Sequence, residues 1–168
     1  NQASFAVADA LADAMTALAR PLDADTVVGL PTLGMVFAPR VAQGLGLSRY
    51  VPMGYSRKFW YDDALSAPVN SLTTPDQAKR IRLDPNQLSL VRGRRVVIVD
   101  DAISTGGTAA AVWALLESLG AEVLALVVAM RQGHAWRAAL GPQRAQRVLG
   151  VFDSPMLRLG GDGWHPES

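Results

Sequence analysis

The chemistry in this chain is concentrated in RVVIVDDAISTGGTAAAV, residues 95–112, where four aliphatic residues run into two adjacent carboxylates, Asp100 and Asp101. Neighbouring carboxylates raise each other's pKa and resist burial, so the pair implies a cation or hydroxyl-rich group set against it. The next residues, Ser104, Thr105, Gly106, Gly107 and Thr108, are all small and lead into a helical pattern. Successive backbone N–H groups in such a loop can turn inward and hold an anion at the helix N-terminus. The loop lacks the lysine and Gly-x-x-x-x-Gly spacing of a Walker A motif, and it is not the three-glycine fingerprint that follows an early strand. A monophosphate suits it better. Acids directly ahead of a phosphate cradle suit a ligand with neighbouring hydroxyls and a phosphate, as in a ribose 5-phosphate, with a divalent cation shared between acids and ligand. The plain structural alternative is a Gly-rich turn whose acids cap the helix.

The elements that must position these groups alternate. SFAVADALADAMTALARP, residues 4–21, has apolar residues at helical spacing, with Ser4 as cap and Pro21 past the end. TVVGL (26–30) reads as a strand, and Leu33 to Gln43 as a helix in which Pro39 removes one hydrogen bond. RYVPMG (49–54) is a strand candidate, whereas Tyr55 to about Pro75 shows no stable period. A stretch of that length inside a compact domain is usually functional or mobile. RVVIV (95–99) is a strand, followed by a helix with Val112, Leu115, Leu116 and Leu119 on one face and Gly120 at its end. EVLALVVAM (122–130) is apolar almost throughout, as a strand covered on both faces should be. RVLGVF (147–152) reads as a last strand before a tail rich in Gly and Pro. The expected fold is α/β, a mainly parallel twisted sheet flanked by helices, with ligands at the carboxyl ends of the strands.

Composition narrows the function. At 168 residues and 49% hydrophobic, the chain suits a single domain, 1–168. The formal charge of +1 gives no basic field for a nucleic-acid backbone. No apolar run approaches the roughly 20 residues that span a bilayer, so neither nucleic acid nor membrane is an expected partner. The absence of cysteine fits a reducing compartment, and the cytoplasm is the expected location. His134 and His165 lie 31 positions apart with no cysteine near them and read as surface residues rather than metal ligands. The chain opens on Asn1 rather than Met, with the expectation that a preceding segment is missing.

VVIVDDAISTGGT resembles the signature of the type I phosphoribosyltransferases, which bind 5-phosphoribosyl 1-pyrophosphate (PRPP). The resemblance implies that fold, with a flexible active-site loop and a small variable hood. It implies that Asp100 and Asp101 hold the ribose hydroxyls and share Mg2+ with the ligand. By the same resemblance Ser104, Thr105, Gly106, Gly107 and Thr108 hold the 5′-phosphate. GLPTLGM (29–35) occupies the place of the family's pyrophosphate loop, assigning Thr32, Leu33 and Gly34, although Pro-Thr-x-Gly is also an ordinary turn. SRKFWYDDALSAPVNSLTTP (56–75) lies where the mobile loop belongs, and Arg57 and Lys58 resemble the Arg-Lys pair that opens it in adenine phosphoribosyltransferases. Cations there would stabilise the departing pyrophosphate, most of all once water is excluded; the alternative is a solvated basic pair. Trp60 and Tyr61 read equally as core or as a stacking surface.

The match departs from the family on the acceptor side. Ser104 stands where enzymes acting on 6-oxopurines often carry an acid, which counts against that subclass. The glycine-lysine-leucine-proline continuation and catalytic glutamate of the adenine enzymes are not found. Asp62 and Asp63 stand in the loop instead, as an acid or base or as a solvated pair. For the hood, expected within 151–168, Phe152 and Trp164 offer flat surfaces on which a base could stack, against the alternative of a disordered tail. A missing N-terminal segment would take part of that hood with it. The expected function is transfer of the phosphoribosyl group from PRPP to a nitrogenous, purine-like base by a homodimeric enzyme. A non-catalytic PRPP-binding regulator on the same fold is the alternative.

Overall fold

The computed structural model describes residues 4–69 and 79–166. Residues 70–75 of the expected loop, and the last two residues of the expected hood, lie outside them. Five strands form a parallel sheet: β1 (Thr26–Gly29), β2 (Val51–Pro52), β5 (Arg95–Ile103), β6 (Glu122–Gln132) and β7 (Val148–Ser154), in the order β2-β1-β5-β6-β7. Two antiparallel hairpins stand beside it, β3 (Ser66–Val69) with β4 (Lys79–Arg82), and β8 (Leu157–Gly160) with β9 (Gly163–Pro166).

The continuous aliphatic runs follow from burial on both faces. On β5, Val97 and Val99 meet α1 (Phe5–Ala19) and α2 (Gly34–Gly44) through Met15, Phe37 and Val41. Val96 and Ile98 face the other way, into a cluster containing Val112, Trp113 and Leu116 of α3 (Gly107–Ser118) and Trp136 and Leu140 of α4 (Ala135–Ala145). Alternate residues therefore serve two cores, and neither face is left to water. Ser4 caps α1 as expected, its Oγ accepting from the Val7 amide at 3.4 Å.

The structure corrects four sequence readings. The strand expected over 49–54 shrinks to Val51–Pro52 at the sheet edge, where Pro52 has no N–H to extend a ladder. The stretch read as aperiodic from Tyr55 contains β3, whose Ala67 and Val69 are buried with Ile81 of β4 in the α3-side core. Helix α4 was not anticipated, because Gly141 and Pro142 interrupt its pattern; Gly141 has non-helical angles (φ 74, ψ 166). The tail beyond Asp153 is ordered into the β8–β9 hairpin rather than lacking structure. Among the described residues no helix is long and apolar enough to cross a membrane.

Candidate active site

Asp100 and Asp101 sit near the carboxyl end of β5, the central strand, and the turn after β1 folds directly over them. The Leu30 amide donates to the Val99 carbonyl at 3.0 Å, which brings residues 31–34 against the acid pair. A Cβ placed on Gly34 would lie 2.8 Å from Asp100 Oδ1 and 2.9 Å from Asp100 Cα, so only glycine permits this approach. The Pro31–Thr32 peptide is cis. Gly34 also opens α2, whose first amides have no partner within the helix. Thr32 and Leu33 thus border both the acid pair and a helix N-terminus, with Leu33 exposed.

On the other side of the pair, Ser104, Thr105 and Gly106 join β5 to α3, and with Gly107, Thr108 and Asp100 they line a cavity of about 120 Å³. Gly106 has φ +81, and a Cβ there would lie 2.9 Å from Trp136 Cα, so α4 packs against the back of the loop. The first amides of α3 point out of the helix end, as an anion site requires.

Electrostatics single out Asp100. Burial, and then the neighbouring Asp101 charge, push its carboxyl well above the ordinary 3.8, although the Asp101 amide donates to Asp100 Oδ1 at 2.9 Å. Two adjacent oxygen donors suit magnesium, a hard cation that keeps several waters and shares ligands with phosphates. No cluster of three His, Cys, Asp or Glu occurs among the described residues, so the pair would supply only part of a coordination shell.

Arg57 and Lys58 lie on the exposed segment after Tyr55. Tyr55 reaches back to the turn over the acids, its hydroxyl donating to the Pro31 carbonyl at 3.4 Å. Burial and then the Asp100 charge raise the Tyr55 hydroxyl above its usual value, and Lys79 Nζ stands 5.8 Å from the centre of its ring. Neither Tyr55 nor Lys79 was singled out from sequence, because Tyr55 meets this turn, and Lys79 meets Tyr55, only by tertiary packing across 24 positions each. Arg57 pairs with Asp63 at 3.3 Å, while Asp62 caps the turn at Asp63–Leu65 by accepting from the Ala64 amide. Trp60 is 47% exposed and Phe59 98% exposed, with their rings edge to face at 4.8 Å, so this aromatic stretch is surface and not core.

The two aromatic residues expected in the hood make no ring contact with each other among the described residues. Phe152 on β7 and Trp164 on β9 are each exposed. A cavity of about 470 Å³ opens instead between the β6–α4 turn and the end of β7, lined by Arg131, His134, Trp136, Asp153 and Met156. It adjoins the Ser104–Thr108 loop, since the Ser104 hydroxyl donates to Met156 Sδ at 3.6 Å. Arg131 and Asp153 form a two-point ion pair at 2.7 and 3.0 Å, which holds the Asp153 carboxyl below its usual value.

Residues 2–142 match the phosphoribosyl transferase domain family. The adenine phosphoribosyltransferase of Thermosynechococcus vestitus is 37% identical over 99 residues, 59% of this chain and 54% of that protein. The chain thus spans little more than half the length of that relative. The enzyme of the same name from Kineococcus radiotolerans is 35% identical over 147 residues, 88% of this chain and 70% of that one. The crystal structure of the Saccharomyces cerevisiae adenine phosphoribosyltransferase, complexed with an imino-altritol bisphosphate and adenine, superposes with a TM-score of 0.70 at 25% identity. That superposition covers 89% of this chain and 81% of the yeast one. Acid pair, amide loop and parallel sheet converge with these likenesses, and the chain belongs to the type I phosphoribosyltransferase family.

Proposed function

We propose that this protein is a magnesium-dependent phosphoribosyltransferase moving the 5-phosphoribosyl group of PRPP to a purine base with release of pyrophosphate. The observation that carries the reading is the seat of Asp100 and Asp101 between two amide-rich helix starts, the turn ending at Gly34 and the loop Ser104–Thr108. A ligand with a phosphate at each end and hydroxyls between them has that layout. The acids accept from the ribose hydroxyls, Ser104 to Thr108 hold the 5′-phosphate, and Thr32, Leu33 and Gly34 meet the pyrophosphate with Arg57 and Lys58. Magnesium, when bound, would supply positive charge that neutralises the leaving pyrophosphate.

Strand order supports a direction of attack. The pyrophosphate turn follows β1 and the sugar sits over β5, so a nucleophile arriving opposite the leaving group comes from over β6 and β7. The cavity beside Arg131 and Met156 lies there, and we take it as the acceptor site, with Phe152 and Trp164 at its approaches. A ring nitrogen of the base bonds to the anomeric carbon as the carbon–oxygen bond to pyrophosphate breaks. The bond pair leaves with pyrophosphate, and the N–H proton of the base is released. The protein's contribution is to hold the sugar, orient the base and stabilise charge on the leaving group. We further place the protein in the cytoplasm as a single-domain homodimer.

The test is pyrophosphate release from PRPP and magnesium across a panel of purine and pyrimidine bases, beginning with adenine, the base bound in the yeast structure. Release with a purine supports the reading. PRPP binding with no release from any base would turn the assignment toward a sensor. Within an active panel, Lys58→Ala should lower kcat about tenfold with a smaller change in the KM for PRPP, because charge grows on the leaving group only as the bond breaks. Equal retention of both constants would return Lys58 to a solvated surface role.

A further inference from the structure

The segment from Gly54 to Asp63, which carries Arg57 and Lys58, is fastened at both ends by one residue. At its start, the Gly54 amide donates to the Arg82 carbonyl at 3.1 Å and the Arg82 amide to the Gly54 carbonyl at 2.8 Å. At its end, Arg82 NH1 pairs with Asp63 Oδ1 at 2.8 Å. Arg82 belongs to β4, between Ile81 and Leu83, both fully buried in the α3-side core. Its side chain is 9% exposed, and its Nε is buried with no partner among the described residues. Asp63 is therefore the counter-ion of a buried guanidinium, and to leave it would strand that charge.

The same carboxylate carries a second arginine on much looser terms. Asp63 Oδ2 meets Arg57 NH2 at 3.3 Å, with both side chains well exposed. Hydrogen bonding from Arg82 comes first, and the Arg57 charge adds to it, in holding the Asp63 carboxyl below its ordinary value. Among the described residues only NH2 of Arg57 is engaged, which leaves Nε and NH1 as donors there. Two residues earlier in the chain, Tyr55 is tied to the Pro31 carbonyl of the candidate pyrophosphate turn. Arg57 thus stands between a fixed point on that turn and a fixed carboxylate.

We propose that Asp63 is a positioning residue: anchored by Arg82, it orients the Arg57 guanidinium so that its remaining donors meet the pyrophosphate of PRPP. The inference rests on the reading of Arg57 as a pyrophosphate ligand. A long cationic side chain loses rotamer freedom when it binds an anion, and a carboxylate that already holds one of its nitrogens reduces that loss. Asp63 reaches the ligand only through Arg57, so its effect must vanish when Arg57 is removed.

The experiment is a double-mutant cycle read by calorimetric titration of inorganic pyrophosphate in the presence of magnesium. Arg57→Ala should weaken binding about tenfold, and Asp63→Asn about threefold. The double variant should bind no worse than Arg57→Ala alone, and Asp63→Glu, which keeps the charge, should recover most of the loss. A threefold loss from Asp63→Asn that persists in the Arg57→Ala background would overturn the proposal, because Asp63 would then act through the fold alone. No change on Arg57→Ala would instead remove Arg57 from the pyrophosphate site, and the proposal with it. Should Asp63→Asn fail to fold, Arg82→Met combined with Asp63→Asn removes the buried charge together with its counter-ion and supports the same comparison.

Discussion

Asp101→Asn should fold as the parent does and lose magnesium-dependent PRPP affinity by roughly 10- to 100-fold, the cost of removing a charged hydrogen-bond acceptor from a bound hydroxyl or cation. Asp100 is held in its high-pKa state by burial and by its neighbour's charge, so the pair costs stability in the unliganded protein. That cost has a defined pH course. A carboxyl whose folded pKa is raised contributes no penalty below its unfolded value near 4. The penalty grows as pH rises from there toward the folded value and is complete above it. Asp100→Asn, measured in chelator, should therefore raise Tm at neutral pH, with the gain shrinking to nothing toward pH 4. Asparagine keeps a carbonyl for the Asp101 amide that now donates to Asp100 Oδ1, and its Nδ2 has the Asp101 side chain, already hydrogen-bonded to Asp100, as an acceptor. Both variants should lose PRPP affinity in calorimetric titrations with magnesium. Unchanged affinity in Asp101→Asn would take the acid pair out of the ligand site, whereas a lower Tm in Asp100→Asn would mean that the pair is held by something other than repulsion offset by ligand.

The acid pair and its loop were legible because everything they need is contiguous: strand, carboxylates, small residues and helix follow one another within 95–112. The central strands were legible for a related reason, since β5 and β6 are buried on both faces and cannot tolerate a polar interruption short of their ends. What escaped was set by partners distant in sequence. Asp63 reads as one of two solvated acids until Arg82, 19 positions on, is folded against it. The cavity beyond the Ser104–Thr108 loop is built by the turn before α4 and by Met156, which meets Ser104 across 52 positions. The hairpins were lost for local reasons: β3 is four residues long with Pro68 inside it, and the Gly-Gly-Asp-Gly turn between β8 and β9 was read as part of a loose tail. The half of the site proposed for the phosphoribosyl group is written in one run of residues, and the half proposed for the acceptor is assembled from several.

Gly106→Ala should cost roughly 2–4 kcal/mol of stability, the sum of two separable penalties. A left-handed φ in a residue with a Cβ costs about 1 kcal/mol, and at φ +81 alanine incurs it. The remainder, roughly 1–3 kcal/mol, comes from overpacking, since the new Cβ would lie 2.9 Å from Trp136 Cα and 3.0 Å from Trp136 Cβ. A backbone atom of a packed helix cannot swing aside as a flexible side-chain end can. Gly93→Ala separates the two, because Gly93 has φ +70 with nothing within 4 Å of the added carbon. Denaturant melts should show Gly93→Ala losing about 1 kcal/mol and Gly106→Ala losing distinctly more. The excess measures how firmly α4 backs the loop before α3. It also carries a functional consequence: relief of the clash must move either the loop amides or α4, whose N-terminal turn lines the cavity taken as the acceptor site. In the fraction that folds, affinity for inorganic phosphate, a probe of the loop without the sugar, should fall together with the KM-normalised rate for the base. Equal stability losses at the two glycines would show that α4 yields freely, and the loop and the acceptor cavity would then be independent of each other.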